Sequence, residues 1–248
     1  MRTGPELNDL LFLLPQQVKE RLFGQLHEID LLAGEVIRTT GPEVKFVYFP
    51  VSCITSLGYV TLDGHASELL VVGSEGVVGL SAFLGAGSET SRMIVQSAGT
   101  AYWMATTEFN REVKNNARMR MLMLRYTLSR IIQISQTVVC NRHHTIDQQL
   151  CRWLLLCLDL STTNELTVPL VLIGHMLDVR REGMIQATNR LEKLGIIRYQ
   201  RGHIAVLDRP RLETLCCECY SVEKKEIECL GVNRDLIRQS RRSEWTIH

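Results

Sequence analysis

The sequence predicts an α+β fold in three parts: an N-terminal β-rich domain, a long helix, and a C-terminal helix-turn-helix followed by a two-stranded wing. Three observations predict it. Between Ile29 and Met104 short runs of β-formers alternate with glycine and proline turns. From Thr107 to Asn141 apolar residues keep a helical period over about 30 residues, or roughly 45 Å of helix. From 170 to 206 two apolar-periodic helices flank a tight turn, and two strands joined at a glycine follow.

The chain opens with a helical stretch over 6–26, where Leu10, Leu11, Leu14, Val18, Leu22 and Phe23 recur at helical spacing around Pro15. Strands are expected at Phe46–Pro50, Cys53–Val60, Ser67–Val72, Met93–Gln96 and Ala101–Met104. The turns between them fall at Gly34, Gly41-Pro42, Asp63-Gly64 and Gly85–Gly87. Strands this short and this punctuated argue for a sandwich or barrel. The glycine-rich LGAGSE lacks a following Lys-Ser or Lys-Thr, so it reads as a turn rather than a triphosphate loop.

The long helix has Thr107 as its expected N-cap and Met119, Leu122, Met123, Tyr126, Ile131, Ile134 and Val138 as its apolar positions. A helix of this length pairs with another, and Ser129, Gln133 and Gln136 are placed to set the register of the pair. A hinge is expected at 141–144. Thr145 and Gln148 then form a capping box, and Leu150, Trp153, Leu154 and Leu158 make the buried stripe of the next helix.

In the helix-turn-helix, Leu172, Ile173, Met176 and Leu177 form one face, and Asp178-Val179 the turn. Met184, Ala187, Leu191 and Leu194 are the inner face of the second helix, which Gly195 ends as a C-cap. Its outer face carries Arg180, Arg181, Glu182, Gln186, Asn189 and Arg190. Strands follow at Ile196–Tyr199 and His203–Leu207, with Gly202 in their turn. Between Arg180 and Arg211 eight Arg and Lys face three acids, in a chain whose formal charge is only +1. A merely solvated face would explain the helix but not the turn, the hairpin and the concentrated positive charge. Double-stranded DNA is therefore the expected partner, with Arg180, Asn189, Arg190, Arg201 and His203 on phosphates.

The stretch MLDVRREGMIQATNRLEKLGIIRYQRGHIAVLD resembles the winged helix of the Crp–Fnr superfamily of bacterial transcription regulators. The resemblance implies that Arg181 donates to a guanine, Glu182 accepts from a cytosine amino group and Gln186 makes a third base contact. The family's third position is usually Arg, whereas Gln suits adenine edges, so the DNA site differs. Gly183 stands where a small hydroxyl residue is usual, at a helix cost of roughly 1 kcal/mol, and is expected to let the DNA backbone approach. The same resemblance makes the first domain a cyclic-nucleotide-binding-like β-roll and residues 107–141 the homodimer helix. It makes RNA polymerase a partner if the protein activates transcription.

The family's effector pocket falls on Gly79, Leu80, Ser91 and Arg92. Leu80 replaces the Glu that binds the ribose hydroxyl, and Thr90, Ser91 and Arg92 lie near the phosphate-binding place with Arg92 displaced by about two positions. Cyclic-nucleotide binding is therefore not supported, no cofactor is expected, and Arg92 reads as a structural or surface arginine.

At 248 residues, 45% apolar and 22% charged, the chain is an ordinary globular one. No apolar run is long enough to span a membrane and no signal peptide opens it, so a cytoplasmic protein with reduced cysteines is expected. Cys53, Cys140, Cys151, Cys157 and Cys229 read as small core residues. Cys216, Cys217 and Cys219 suggest a metal or redox site, but Cys-x-Cys without a second ligand pair is weak, and no metal site is assigned. The adjacent His143 and His144 would point apart on a helix and form no joint site. No catalytic constellation is present, so the protein is not expected to be an enzyme. The domains are expected at residues 1–106, 107–141, 142–220 and 221–248, the last a helix and a flexible, basic tail. The competing reading is a small-molecule or redox sensor whose output is a protein–protein contact.

Overall fold

The computed structural model describes residues 2–38, 44–60, 62, 66–85, 91–161 and 163–231. The expected turns at 41–42 and 63–64, the glycine at 87, Thr90 and the basic tail from 233 lie outside the described residues. The chain divides into two compact units. One comprises Met1–Leu57, Val72–Ile131 and Cys229–Val232, the other chiefly Gly58–Val71 and Ile132–Glu228.

The first unit begins with α1 (Asp9–Phe12) and α2 (Gln16–Leu22). Pro15 separates them because it cannot donate within a continuous helix, and it stands instead as the N-cap of α2. Asn8 caps α1 by accepting from the Leu11 N–H at 3.0 Å. Its amide donates to the carbonyls of Pro50 at 2.8 Å and Gly76 at 2.9 Å, so a buried polar side chain is fully used.

The strands are β1 (His27–Leu31), β2 (Val36–Arg38), β3 (Phe46–Pro50), β4 (Ile54–Val60), β5 (Ala66–Val72), β6 (Arg92–Ser97) and β7 (Gly99–Ala105). They form one antiparallel sheet of order β1-β7-β3 and another of order β2-β6-β4-β5. Val47 and Phe49 of β3, Val95 of β6, and Ala101 and Met104 of β7 point into the core, where Phe49 meets Phe109 with ring centroids 6.0 Å apart. The five expected strands are present. β1 and β2 went unread because HEIDL carries mostly polar or charged side chains and VIR is only three residues long. A short helix, α3 (Leu80–Phe83), precedes β6.

The expected single helix over 107–141 is two helices, α4 (Thr106–Asn115) and α5 (Ala117–His143), with Ala105 rather than Thr107 as the first N-cap. Asn116 breaks the run: it is extended, and its Oδ1 accepts from the Met119 N–H at 2.9 Å, which makes it the N-cap of α5. The 27 residues of α5 still span about 40 Å. Its inner face docks through Tyr126, wholly buried, whose hydroxyl donates to the Val77 carbonyl at 3.0 Å and accepts from the Val77 N–H at 3.1 Å. The ring lies against Gly76, where an added Cβ would fall 2.2 Å from the hydroxyl. Tyr126→Phe strands both Val77 groups and is expected to lower unfolding free energy by about 1–3 kcal/mol, read from a denaturant midpoint at unchanged slope.

In the second unit α5 ends at His143, not at the expected break from 141, and α6 (Ile146–Leu160) starts from Thr145 with both capping-box hydrogen bonds in place. Then come β8 (Glu165–Thr167), α7 (Leu170–Leu177), α8 (Arg181–Lys193), β9 (Ile197–Gln200), β10 (His203–Val206), α9 (Arg209–Leu215) and α10 (Glu218–Cys229). α6 is buried on nearly all sides because α8 and α9 both pack on it. That burial traps Arg152, which donates through Nε to Glu223 Oε1 of α10 at 2.9 Å and through Nη2 to Thr137 Oγ1 of α5 at 2.7 Å. A guanidinium so placed ties three helices together, because an unpaired charge in this core would cost several kcal/mol.

Candidate nucleic-acid interface

α7 buries Ile173, Met176 and Leu177, then turns at Asp178, whose φ of 53° is left-handed. The Val179 N–H closes the turn onto the Gly174 carbonyl at 2.8 Å. α8 starts after Arg180 and buries Met184, Ala187, Thr188 and Leu191, the expected inner face except that Leu194 is exposed. At its end Gly195 has a φ of 69° and the Ile196 N–H reaches the Leu191 carbonyl at 3.0 Å, a glycine C-cap as expected.

The wing is a hairpin with Arg201 and Gly202 both left-handed, at φ 50° and 87°. Two such residues make the tight turn whose twist matches a two-residue hairpin. β10 is central in a sheet of order β8-β10-β9, and β8 is a strand that sequence reasoning missed. His203 pairs with Thr167 across that sheet, its Nδ1 3.1 Å from Thr167 Oγ1.

Arg180, Arg181, Glu182, Gln186, Asn189, Arg190, Arg201 and His203 are all exposed. At 100° per residue Glu182, Gln186, Asn189 and Lys193 form the crest of α8 opposite its buried face, with Ile185 and Arg181 along one flank. Lys193, which sequence reasoning left out, shares the crest at the i+4 interval from Asn189. Arg190 lies toward the other flank, held by both oxygens of Asp147 of α6, at 2.7 and 2.5 Å. Gly183 is also turned inward: a Cβ there would lie 3.0 Å from Ile146 and 3.2 Å from Val179. The expectation that Gly183 opens the helix to a DNA backbone is thus corrected; it admits α6 instead.

The basic stretch is partly spent internally. Arg209 pairs with Asp159 at 2.5 Å and Glu213 at 2.8 Å, and Arg211 donates to the Leu194 carbonyl at 2.9 Å. Arg180, Arg181, Lys193, Arg198 and Arg201 make no ion pair with another described residue, and they are the cations left to face a polyanion.

α5 presents a second surface. Met121, Leu124, Leu128, Ile131 and Val138 are 54, 47, 54, 55 and 58% exposed. With the exposed Ser135 they step by three and four residues in turn, the spacing of a coiled-coil seam. Ser129 and Gln133 do not lie on it. Both are buried against their own chain, with Ser129 Oγ donating to the Tyr126 carbonyl at 2.8 Å, so they cannot set a register across a pair.

Gly79 is left-handed at φ 96° and caps α3, and half-buried Leu80 is the first residue of that helix. Ser91 is buried, and Arg92 opens β6 with its Nε buried and without a hydrogen-bond partner among the described residues.

Among the cysteines, burial pushes Cys53 and Cys151 up to about 12 and raises Cys157 well above the ordinary thiol value, which fits inert core thiols. Two of the five expected core cysteines behave otherwise: Cys229 is exposed, and Cys140 joins His144, Cys217 and Cys219, their ligand atoms all within 4.8 Å of one another. Hydrogen bonds from Cys140 and Cys216 hold the Cys217 thiol far below its ordinary value.

A short helix, a left-handed turn, a helix with a polar crest and a hairpin wing define a winged helix-turn-helix. Residues 148–215 match the family model of the Crp-like helix-turn-helix domain. Its fold is that of solved Crp/Fnr structures. A protein assigned as a Crp/Fnr transcriptional regulator from Eubacterium rectale superposes with a TM-score of 0.66 at 18% identity, over 85% of this chain and 98% of its own. FixK2 from Bradyrhizobium japonicum gives 0.68 at 15% identity, over 77% and 98%. The c-di-GMP-responsive regulator CLP of Xanthomonas campestris gives 0.61 at 13%, over 78% and 100%. Comparison with curated proteins returns no match. Among the described residues no helix is long and apolar enough to cross a membrane.

Proposed function

We propose that the chain is a transcription regulator that binds a pseudo-palindromic DNA site as a homodimer. The observation that carries this reading is the outer face of α8: Glu182 and Gln186 on its crest and Arg181 on its flank are exposed on the helix that a Crp-like domain lays in the major groove, beside the wing cations Arg198 and Arg201. The seam on α5 supplies the second half. Two copies joined along it present two α8 helices to one duplex, and Arg180, Asn189, Arg190, Arg201 and His203 then serve phosphates. Titration of a labelled duplex followed by anisotropy is expected to saturate at two chains per duplex, with affinity falling steeply as salt rises. Saturation at one chain, or binding indifferent to salt, overturns the reading.

Arg190 reaches a phosphate in this scheme only by sharing or leaving Asp147. Asp147→Asn removes the competing charge and is expected to tighten DNA binding a few-fold and steepen the log–log salt slope by roughly 0.9 for each phosphate gained. An unchanged slope would place Arg190 outside the interface.

CLP responds to a cyclic dinucleotide. In this chain Leu80 in place of an acceptor argues against a ribose clamp, and we propose that DNA binding does not require a cyclic mononucleotide.

A further inference from the structure

We propose that Cys140, His144, Cys217 and Cys219 form a mononuclear zinc site that staples the end of α5 to the start of α10. Three thiols and an imidazole converge here from two stretches of chain more than 70 residues apart. Cys140 and His144 stand one helical turn apart, the His144 N–H still bonded to the Cys140 carbonyl at 3.0 Å. Cys217 and Cys219 come from the junction of α9 and α10. Cysteines that merely fill space set sulfur against carbon, as Cys53 does beside Leu31, Val95 and Ala101. These four set heteroatom against heteroatom.

The spacing selects the ion. Zinc binds sulfur at about 2.3 Å and nitrogen at about 2.0–2.1 Å, so the edges of its tetrahedron measure about 3.5–3.8 Å. Cys140 Sγ lies 3.6 Å from Cys217 Sγ, and Cys219 Sγ lies 3.6 Å from His144 Nδ1. No pair of the four exceeds 4.8 Å. An iron–sulfur cluster distributes its protein ligands over several irons and holds them further apart, so this cage suits one ion. Three sulfurs and one imidazole are also a donor set of structural zinc.

The surroundings fit the same assignment. With Nδ1 on the metal, the hydrogen of His144 sits on Nε2, and that nitrogen lies 3.4 Å from the Glu218 carboxylate. A carboxylate behind a ligating histidine fixes its tautomer and orientation. Cys216 packs against the outside of the cluster and is not needed to complete four ligands.

The test uses the full chain purified under reducing conditions without chelator. Elemental analysis is expected to find one zinc per chain, and exchange for cobalt(II) to give the intense visible bands of a tetrahedral thiolate site. Cys219→Ser is expected to abolish both and Cys216→Ser neither, while Glu218→Gln weakens metal binding by about tenfold or more. A parent-chain measurement avoids dependence on how variants fold: bound metal shields Cys140, Cys217 and Cys219 from alkylation and leaves the exposed Cys229 open, and a chelator removes the protection. Any of four results overturns the proposal: a chain without metal, a weak octahedral cobalt spectrum, iron with acid-labile sulfide, or a Cys140–Cys217 disulfide in the reduced preparation.

Discussion

Replacing Arg181 and Glu182 together with alanine is expected to abolish sequence-specific DNA binding and leave the fold intact. Both side chains are exposed at the N-terminal end of α8, so unfolding free energy should shift by no more than about 0.5 kcal/mol. A good base-edge contact is worth about 1–3 kcal/mol of discrimination. A symmetric dimer loses each contact twice, so Arg181→Ala alone should cost roughly 2–6 kcal/mol, or about 30-fold to 10⁴-fold, on the preferred site. Binding to unrelated DNA should change far less, because the proposed phosphate contacts at Arg180, Asn189, Arg190, Arg201 and His203 are left in place. Competition between specific and nonspecific duplexes measures the difference directly. Equal losses on both duplexes would make these residues phosphate contacts rather than readers of sequence.

Leu128→Glu is expected to convert the protein to a monomer. Leu128 is central in the exposed stripe of α5, and in the proposed homodimer a two-fold axis along that stripe would set it near its own copy. A glutamate there buries two like charges in the seam, which they leave by dissociating. Sedimentation should show one species of half the mass, with helical content unchanged because the residue has little to lose inside its own chain. Affinity for the full site should fall by about 10²–10⁴-fold as two linked half-site contacts become one. A dimer that survives Leu128→Glu and Ile131→Glu would put the subunit contact elsewhere.

How much of this was legible in the sequence follows from which signals are local. The turn at Asp178, the glycine cap at Gly195 and the hairpin at Gly202 each lie within a few residues of the backbone geometry they enforce, and the winged helix could be read from them. The long helix was misread in two local respects. Asn116 breaks it with a single cap that an apolar period passes over. More seriously, α5 has two apolar faces. Met119, Met123 and Tyr126 face the chain's own core, while Met121, Leu124, Leu128, Ile131 and Val138 face outward, and periodicity alone does not say which stripe is kept for a partner. Ser129 and Gln133 were assigned to the wrong face for that reason. The sulfur cluster was illegible because half of its ligands lie far away in sequence. Cys140 and His144 do stand at i and i+4, the spacing of two ligands on one helix turn, and that was the available clue. Only the docking of α10 beside α5 shows that it pairs with Cys217 and Cys219. Gly183 was misjudged for want of α6, because it belongs on an outer face until Ile146 is placed beside it, and the same gap hid the pairing of the exposed Arg190 with Asp147.

The most direct test of the central claim is selection of bound sites from a random DNA pool by the purified full chain, without added nucleotide. The expected product is a two-fold symmetric sequence with half-sites about one helical turn apart, whose symmetry disappears from the pool selected by Leu128→Glu. An asymmetric site, or no enriched sequence, would contradict a dimeric regulator that reads DNA through α8.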